Sequence, residues 1–518
     1  MNVQIVYFSW SNICKMLRKI RIIVAAVAFT LITLLFLDFT GTFHLWFGWL
    51  AKVQLVPALL AVNVIVLLAL ALLTFLFGRI YCSVICPLGI MQDGISNISG
   101  RRKGKKNRFG YSKALSWLRY GVLALFLVGL VIGMFSAIVS FLDPYAGFGR
   151  IAANLFAPLY RFGNNLLAWF AETANSYAFY STEVWVKSLI TFSVAVATLT
   201  LVGVLAWRNG RTYCNTICPI GTFLGFISRF SIFRPAFNTE KCTRCGLCEK
   251  RCKSSCIDFK NITIDHSRCV TCFNCIENCK FGAIKYAHVK LSNKKNAPES
   301  VQSTEKNANS FSRRNMLSIL GTIAITSAIK AQQLHVDGGL AEIENKKIPT
   351  RKTPIVPPGA QSLRNVKKKC TACQLCVSAC PNGVLRPSNK LATLMQPEMS
   401  FERGYCRPEC VECSQVCPTS AIGKITTADK SALSIGWAVW IKENCMINRD
   451  EIQCNSCEWH CPTGAITLVD RDPGYSNSLK IPAIDKELCI GCGACEYHCP
   501  ARPFSAIYVE GHVRHHSI

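Results

Sequence analysis

Cys489-Ile490-Gly491-Cys492-Gly493-Ala494-Cys495-Glu496-Tyr497-His498-Cys499-Pro500 is the stretch on which the reading of this chain turns. Three cysteines fall close together, and a fourth comes three residues later, directly before proline. Three thiolates in so tight a loop bind three corners of one 4Fe-4S cube, and the fourth points to a neighbouring cube. The x2-x2-x3 spacing recurs at Cys242, Cys245, Cys248, Cys252; at Cys269, Cys272, Cys275, Cys279; and at Cys370, Cys373, Cys376, Cys380. Two variants lengthen only the first gap: Cys406, Cys410, Cys413, Cys417 and Cys445, Cys454, Cys457, Cys461. Structural zinc takes two Cys or His pairs separated by a longer loop, which this spacing does not match. About six 4Fe-4S clusters, arranged in pairs, are the expected cofactors.

The composition agrees. Of 518 residues, 30 are cysteine, 50% are apolar and only 17% are charged. The mean hydropathy of +0.26 is too high for a wholly soluble or disordered chain. A secreted disulfide scaffold would be far shorter. The formal net charge of +28 falls to about +16 once six cubes of about −2 each are counted. No stacking or base-reading motif accompanies the charge, so no nucleic-acid partner is expected. No phosphate-binding glycine loop appears, so no nucleotide is expected either. No Cys-x-x-Cys-His occurs, which excludes an attached c-type haem.

Four apolar runs, near residues 22–40, 55–77, 117–141 and 186–207, are long enough to span a bilayer. Basic residues crowd the N-terminal tail (Lys15, Arg18, Lys19, Arg21) and the connection from run two to run three (Arg79, Arg101, Arg102, Lys103, Lys105, Lys106). The long loop 142–185 carries only Arg150 and Arg161. The positive-inside rule then puts the N-terminus, and the segments directly after runs two and four, in the cytoplasm.

A twelve-residue segment occurs twice. Gly78-Arg79-Ile80-Tyr81-Cys82-Ser83-Val84-Ile85-Cys86-Pro87-Leu88-Gly89 comes after run two, and Gly210-Arg211-Thr212-Tyr213-Cys214-Asn215-Thr216-Ile217-Cys218-Pro219-Ile220-Gly221 after run four. Eight positions are identical, so a duplicated helix pair is expected. Neither Cys82/Cys86 nor Cys214/Cys218 completes a four-ligand site alone, but together they could. The readings left open are a shared metal or Fe-S site, a thiol/disulfide redox pair, or capping turns with small buried cysteines. Cys256 competes with Cys252 as a ligand, because Lys253 stands where proline is expected; the spacing favours Cys252. Asp143, with Pro144 and Tyr145, offers either a proton acceptor or a helix cap. Arg313-Arg314 before a weakly apolar stretch has the form of a twin-arginine export signal. His512, His515 and His516 are read as part of a frayed polar tail.

These motifs resemble two families joined in one chain. Residues 1–290 resemble the NapH-type membrane ferredoxins, with four membrane helices, two C-x-x-x-C-P motifs and a two-cluster domain. Residues 312–508 resemble the NapG/MauM-type exported ferredoxins, with a twin-arginine leader and four 4Fe-4S motifs. The resemblance implies a quinol dehydrogenase-like component of the bacterial cytoplasmic membrane. It would take electrons from a menaquinol-type quinol and pass them to a periplasmic reductase or cytochrome. It also implies that the first of the four C-terminal motifs exchanges its last cysteine with the fourth, and the second with the third. The alternatives are a wire fed by a soluble cytoplasmic donor, or a metal-reducing assembly factor that uses the C-x-x-x-C-P cysteines.

The expected fold class is a membrane α-helical bundle of four helices in duplicated pairs, plus α+β ferredoxin-like domains and a fifth helix at the twin-arginine segment. The expected domains are a membrane domain (1–231), a cytoplasmic two-cluster domain (232–290), a linker (291–312) and a signal or anchor (313–332). Beyond these lie a second linker (333–366), a periplasmic four-cluster domain (367–508) and a tail (509–518).

Overall fold

The computed structural model describes residues 10–102, 109–132, 136–288, 344–475 and 478–518. The twin-arginine segment and the linker before it lie outside the described residues. Among the described residues, two helices are long and apolar enough to cross a membrane: α1 (Trp10–Leu37) through its Met16–Leu37 part, and a later helix Leu189–Asn209. At 1.5 Å per residue, the 21 residues of the latter reach about 31 Å, close to the thickness of a hydrocarbon core.

Run 55–77 is not a single span. It breaks after Leu55–Leu60: Val62 takes a positive φ of 55°, and the Asn63 side chain caps Val66 N at 3.3 Å. Beyond the break, α2 (Val64–Phe77) has 14 residues, about 21 Å. An asparagine inside an apolar run competes for backbone groups and restarts the helix. In run 117–141 the described residues form α3 (Ser116–Ile132) and α4 (Ser136–Leu142), and residues 133–135 lie outside the described residues. The loop expected at 142–185 is largely helical: α5 (Pro144–Ile151), a π segment Ala152–Phe156, and α6 (Ala157–Thr173). Asp143 is the cap of α5, accepting from Tyr145 N at 3.1 Å and Ala146 N at 3.2 Å, with Pro144 at the first helical position. Leu189–Asn209 is α7, and Pro219–Ser228 is α8.

The two Cys-rich regions sit at opposite ends of the same helices. Near the start of α1, Arg18 pairs with Glu277 of the first region. Near its end, Phe36 packs against Gly149, where an added Cβ would stand 2.4 Å from the Cys373 carbonyl oxygen of the second region. The eighteen residues from Arg18 to Phe36 correspond to about 27 Å of helix. The helix α7 repeats the arrangement. At its start Ser188 Oγ donates to Asn389 Oδ1 at 2.8 Å; beyond its end Arg211 N donates to Lys253 O at 2.9 Å.

In the first region, β1 (Phe233–Phe237) pairs antiparallel with β2 (Ile284–His288) and closes the chain around two cysteine loops. In the second, β3 (Leu433–Trp440) pairs with β4 (Ile507–Ser517). This corrects the expectation of a frayed tail. Val509 is buried opposite Ala438, His515 N donates to Gln361 O at 2.9 Å, and the His512 ring lies 4.7 Å from Trp437. The described part of the second linker, 344–366, is also packed rather than free. Arg351 pairs with Glu496 at 2.5 Å, and Val356 and Ala360 are buried.

Asp93, on the helix Pro87–Arg102, ties the first end together. Its carboxylate meets Arg211 at 2.8 Å, Arg21 at 3.0 Å and Lys253 at 3.5 Å. Burial alone would push this carboxyl up; the charges of Arg211, Lys253 and Arg21 outweigh that and hold it well below the usual carboxylate range. A depressed acid contributes stability above its unfolded pKa and loses it only as pH falls through the acid range. Asp93→Asn leaves the buried Arg211 without its counter-charge, a loss of about 3–5 kcal/mol. Limited proteolysis at neutral pH is expected to release the 232–288 region faster from this variant than from the wild type.

Candidate functional site: the cysteine sets

The four regular motifs share one backbone device. The residues flanking the middle cysteine are left-handed: Arg244 and Gly246 (φ 52° and 70°), Thr271 and Phe273 (49° and 61°), Ala372 and Gln374 (53° and 65°), Gly491 and Gly493 (72° and 78°). That conformation costs a non-glycine residue about 1–2 kcal/mol. Five such residues accept it here, and strain of this kind persists where the site over-determines the loop. The reversals curl the chain inward, and Ala372 N reaches Cys370 Sγ at 3.4 Å. A helix of four or five residues then starts one residue before each third cysteine, as in Leu247–Lys250, Asn274–Glu277, Leu375–Ala379 and Ala494–His498.

The structure gathers the sulfurs into fours. In the first region Cys252 lies with Cys269, Cys272 and Cys275, while Cys279 lies beside Cys248 and hence the loop of Cys242 and Cys245. This is the exchange expected from the spacing. Cys256 is buried 3.5 Å from Cys252 Sγ and also contacts Cys269.

In the second region the pairing differs from the one implied by resemblance. Cys370, Cys373, Cys376 and Cys417 line one cavity. Cys380, Cys406, Cys410 and Cys413 line the next. Cys445, Cys454, Cys457 and Cys499 line a third. Cys461 lies beside Cys489 and Cys492, next to Cys495. The first motif therefore exchanges with the second, and the third with the fourth. The cause is helix packing: Leu375–Ala379 packs on Glu412–Val416, and Ser456–Trp459 on Ala494–His498.

The cavities fit an iron–sulfur group. Burial pushes the free thiols of Cys373, Cys457 and Cys492 up to about 12. They would stay protonated at neutral pH unless a cation took the proton's place, as iron does. The fours also form a row. The set containing Cys373 abuts the helical region, where Asn154 Nδ2 donates to Gln374 Oε1 at 2.8 Å. Cys406 N donates to Cys492 O at 2.9 Å, joining the second four to that of Cys489. The four containing Cys499 comes last, beside His460 and His498 stacked at 3.6 Å.

Cys82, Cys86, Cys214 and Cys218 are all buried and lie within electrostatic reach of one another. The duplicated segments embrace. Arg79 Nη2 donates to Cys214 O at 3.2 Å, and Arg211 Nη1 donates to Cys82 O at 2.6 Å. Gln92 Nε2 reaches Cys214 Sγ at 3.2 Å. Sequence reasoning alone reads Arg79 as topology charge and misses Arg211, Gln92 and Asp93. A signal for the two arginines exists, since they occupy the same place in the repeat.

Comparison with known proteins finds 4Fe-4S models over parts of the chain. A 4Fe-4S binding domain model matches residues 59–106 and again 190–239. A 4Fe-4S dicluster domain model matches 452–502, and a further 4Fe-4S binding domain model matches 366–386. The methylamine utilization ferredoxin-type protein MauM of Methylobacillus flagellatus is 28% identical over 160 residues, covering 30% of this chain and 66% of the relative. MauN of Paracoccus denitrificans is 25% identical, covering 34% of this chain and 48% of the relative. The ferredoxin-type protein NapG of Escherichia coli is 32% identical, covering 26% and 61%. The chain thus spans less than two thirds of the length of each of these three relatives. No solved structure matches. The chain carries 4Fe-4S binding domains and has homologues among the MauM, MauN and NapG ferredoxin-type proteins.

Proposed function

We propose that this protein carries electrons across the bacterial cytoplasmic membrane through six 4Fe-4S clusters held by the cysteine fours described above. The observation that carries the reading is the placement of two cluster-binding regions at opposite ends of α1 and α7. The two-cluster domain (232–290) is cytoplasmic and the four-cluster domain (367–508) periplasmic, in line with the basic residues of the N-terminal tail. The membrane domain is a duplicated helix-pair bundle, and the mutual clasp of Arg79 and Arg211 supports the duplication.

The donor is a menaquinol-type quinol, and the acceptor a periplasmic reductase or cytochrome. A cleft of about 540 Å³ between α1, the helix Pro87–Arg102 and the two-cluster domain suits a quinol. Apolar Ile22, Ala26, Ile90 and Phe109 line it together with the charged Arg18, Arg21, Asp93, Arg251 and Lys253. Cys272 lies within electrostatic reach of Lys253 and Arg21 on its wall. A second reading keeps the wire and replaces quinol by a soluble carrier; exposure of Cys245, in the outer four, favours it.

Adding a menaquinol analogue to anaerobic protein is expected to bleach the cluster absorbance. Ala26→Trp, which fills the cleft, should slow this about tenfold, equivalent to roughly 1.4 kcal/mol, with iron content unchanged. Bleaching by reduced soluble ferredoxin and not by quinol would favour the second reading. Among the ligands, Cys252→Ser is expected to lose about four iron atoms per chain, while Cys256→Ser keeps them; iron analysis with EPR reads the difference.

A further inference from the structure

A small cavity of about 30 Å³ lies where the helical region meets the four-cluster domain. The helical region lines it with Asn154 of the π segment, Arg161 of α6, and Trp185 and Lys187 just before α7. The four-cluster domain lines it with Gln374 and Val377. Residues of both parts form its wall, so the cavity exists only while the two are docked.

The polar lining is rich in donors and short of acceptors. No carboxylate lines the cavity. Arg161 forms no hydrogen bond or ion pair among the described residues, and its Nε is buried without a partner. Gln374 is 3% exposed; its Oε1 accepts from Asn154 Nδ2 at 2.8 Å, and its Nε2 is buried without a partner. Lys187 Nζ donates to the carbonyl of Val377 and has two further protons to place. Glu183 and Glu402, on the flanking segments, are already paired with Arg403 and Arg386. Cys376 and Cys380, as cluster ligands, bring negative charge towards Lys187, but the burial of Arg161 goes without such compensation. A buried donor without an acceptor is costly, and a charged one more so. Three donors around one small space, two of them cationic, call for an oxyanion.

Size and surroundings narrow the choice. The volume holds about two water-sized groups, enough for two oxygens of an oxyanion and too little for a quinone ring. The flanking surface is apolar. Leu159 and Phe162 on α6, and Leu189 and Ile190 at the start of α7, are exposed. Tyr160 and Trp169 on α6, and Tyr177 and Tyr180 after it, are exposed as well. Tyrosine and tryptophan collect where a bilayer meets water. An oxyanion site inside a greasy, aromatic rim, at the end of a span, matches the two halves of a phospholipid.

We propose that the phosphate of an anionic phospholipid occupies this cavity, held by Arg161, Lys187 and Gln374, with its acyl chains along Leu189 and Ile190. This rests on the reading of α7 as a membrane span. A ligand that binds only the docked form stabilises it. The lipid thus fastens the four-cluster domain to the helical region. Gln374 also lines the cavity of Cys370, Cys373 and Cys376, so the headgroup abuts the first loop of that domain.

The test uses the full chain, purified in detergent without oxygen and stripped of lipid. It is titrated with dioleoyl phosphatidylglycerol, dioleoyl phosphatidylcholine or inorganic phosphate. Native mass spectrometry reads bound lipid, and limited proteolysis reads the release of residues 344–518. Phosphatidylglycerol is expected to bind and to slow the release, and phosphatidylcholine to do so far less. Arg161→Gln, which breaks no contact within the chain, should weaken phosphatidylglycerol binding about tenfold, roughly 1.4 kcal/mol. Arg161→Lys should restore most of it. Lys480→Gln, which removes an exposed lysine of the same domain, should leave it unchanged. Equal binding by the wild type and Arg161→Gln overturns the proposal. So does protection by inorganic phosphate without binding of phosphatidylglycerol, which would leave a free-anion site. Recovery of the chain in the supernatant of carbonate-washed membranes would instead overturn the membrane reading itself.

Discussion

Iron–thiolate bonding is the constraint on which the two Cys-rich regions depend. Their helices are mostly four or five residues long, and several of their strands have only two or three. Elements this short cannot propagate helix or sheet on their own. The buried cores that join them contain the cysteines themselves, alongside Leu375, Phe401, Ile447 and Ile507. Metal ligation takes over the role that apolar volume plays in a larger domain, and folding and metal binding become one free-energy balance.

The helical region solves a different problem. It buries Arg79, Arg211, Arg119 and Arg150 and exposes large apolar side chains such as Ile65, Leu68 and Val131. That inversion suits a surface facing lipid around a polar interior. Its buried charges gather at the two ends, where the cluster-binding regions dock. Asp93 and its three cations serve one end. At the other, Lys187 Nζ donates to the carbonyl of Val377, and Arg386 and Arg403 lie over the Trp185 ring at 4.4 and 4.6 Å. Electrostatic contacts of this kind set orientation and register more than they add stability.

Local geometry and long-range packing divide the work at each cysteine four. The left-handed pairs around Cys245, Cys272, Cys373 and Cys492 shape three ligands from one loop. Which loop supplies the fourth depends on which short helices lie side by side. The contact of Leu375–Ala379 with Glu412–Val416 brings Cys417 to Cys373, and no local rule of spacing could have named that partner. The same division holds in the helical region, where Arg79 reaches Cys214 O and Arg211 reaches Cys82 O only because the duplicated segments face each other.

The sequence alone was enough to identify the iron–sulfur chemistry, the repeat and the alternation of greasy and Cys-rich regions, because cysteine spacing and apolar run length are local properties. It also offered both roles of Asp143, and the backbone geometry chose the cap. Tertiary structure alone decided the partner of each fourth cysteine in the second region, the breaking of run 55–77 at Val62 and Asn63, and the pairing of the C-terminal residues as a strand. It alone revealed that Arg79 and Asp93 act at a buried junction rather than on a solvated surface. These are contacts between residues far apart in the chain, and the free energy of burying a charge depends on what packs around it, which no spacing along the chain records.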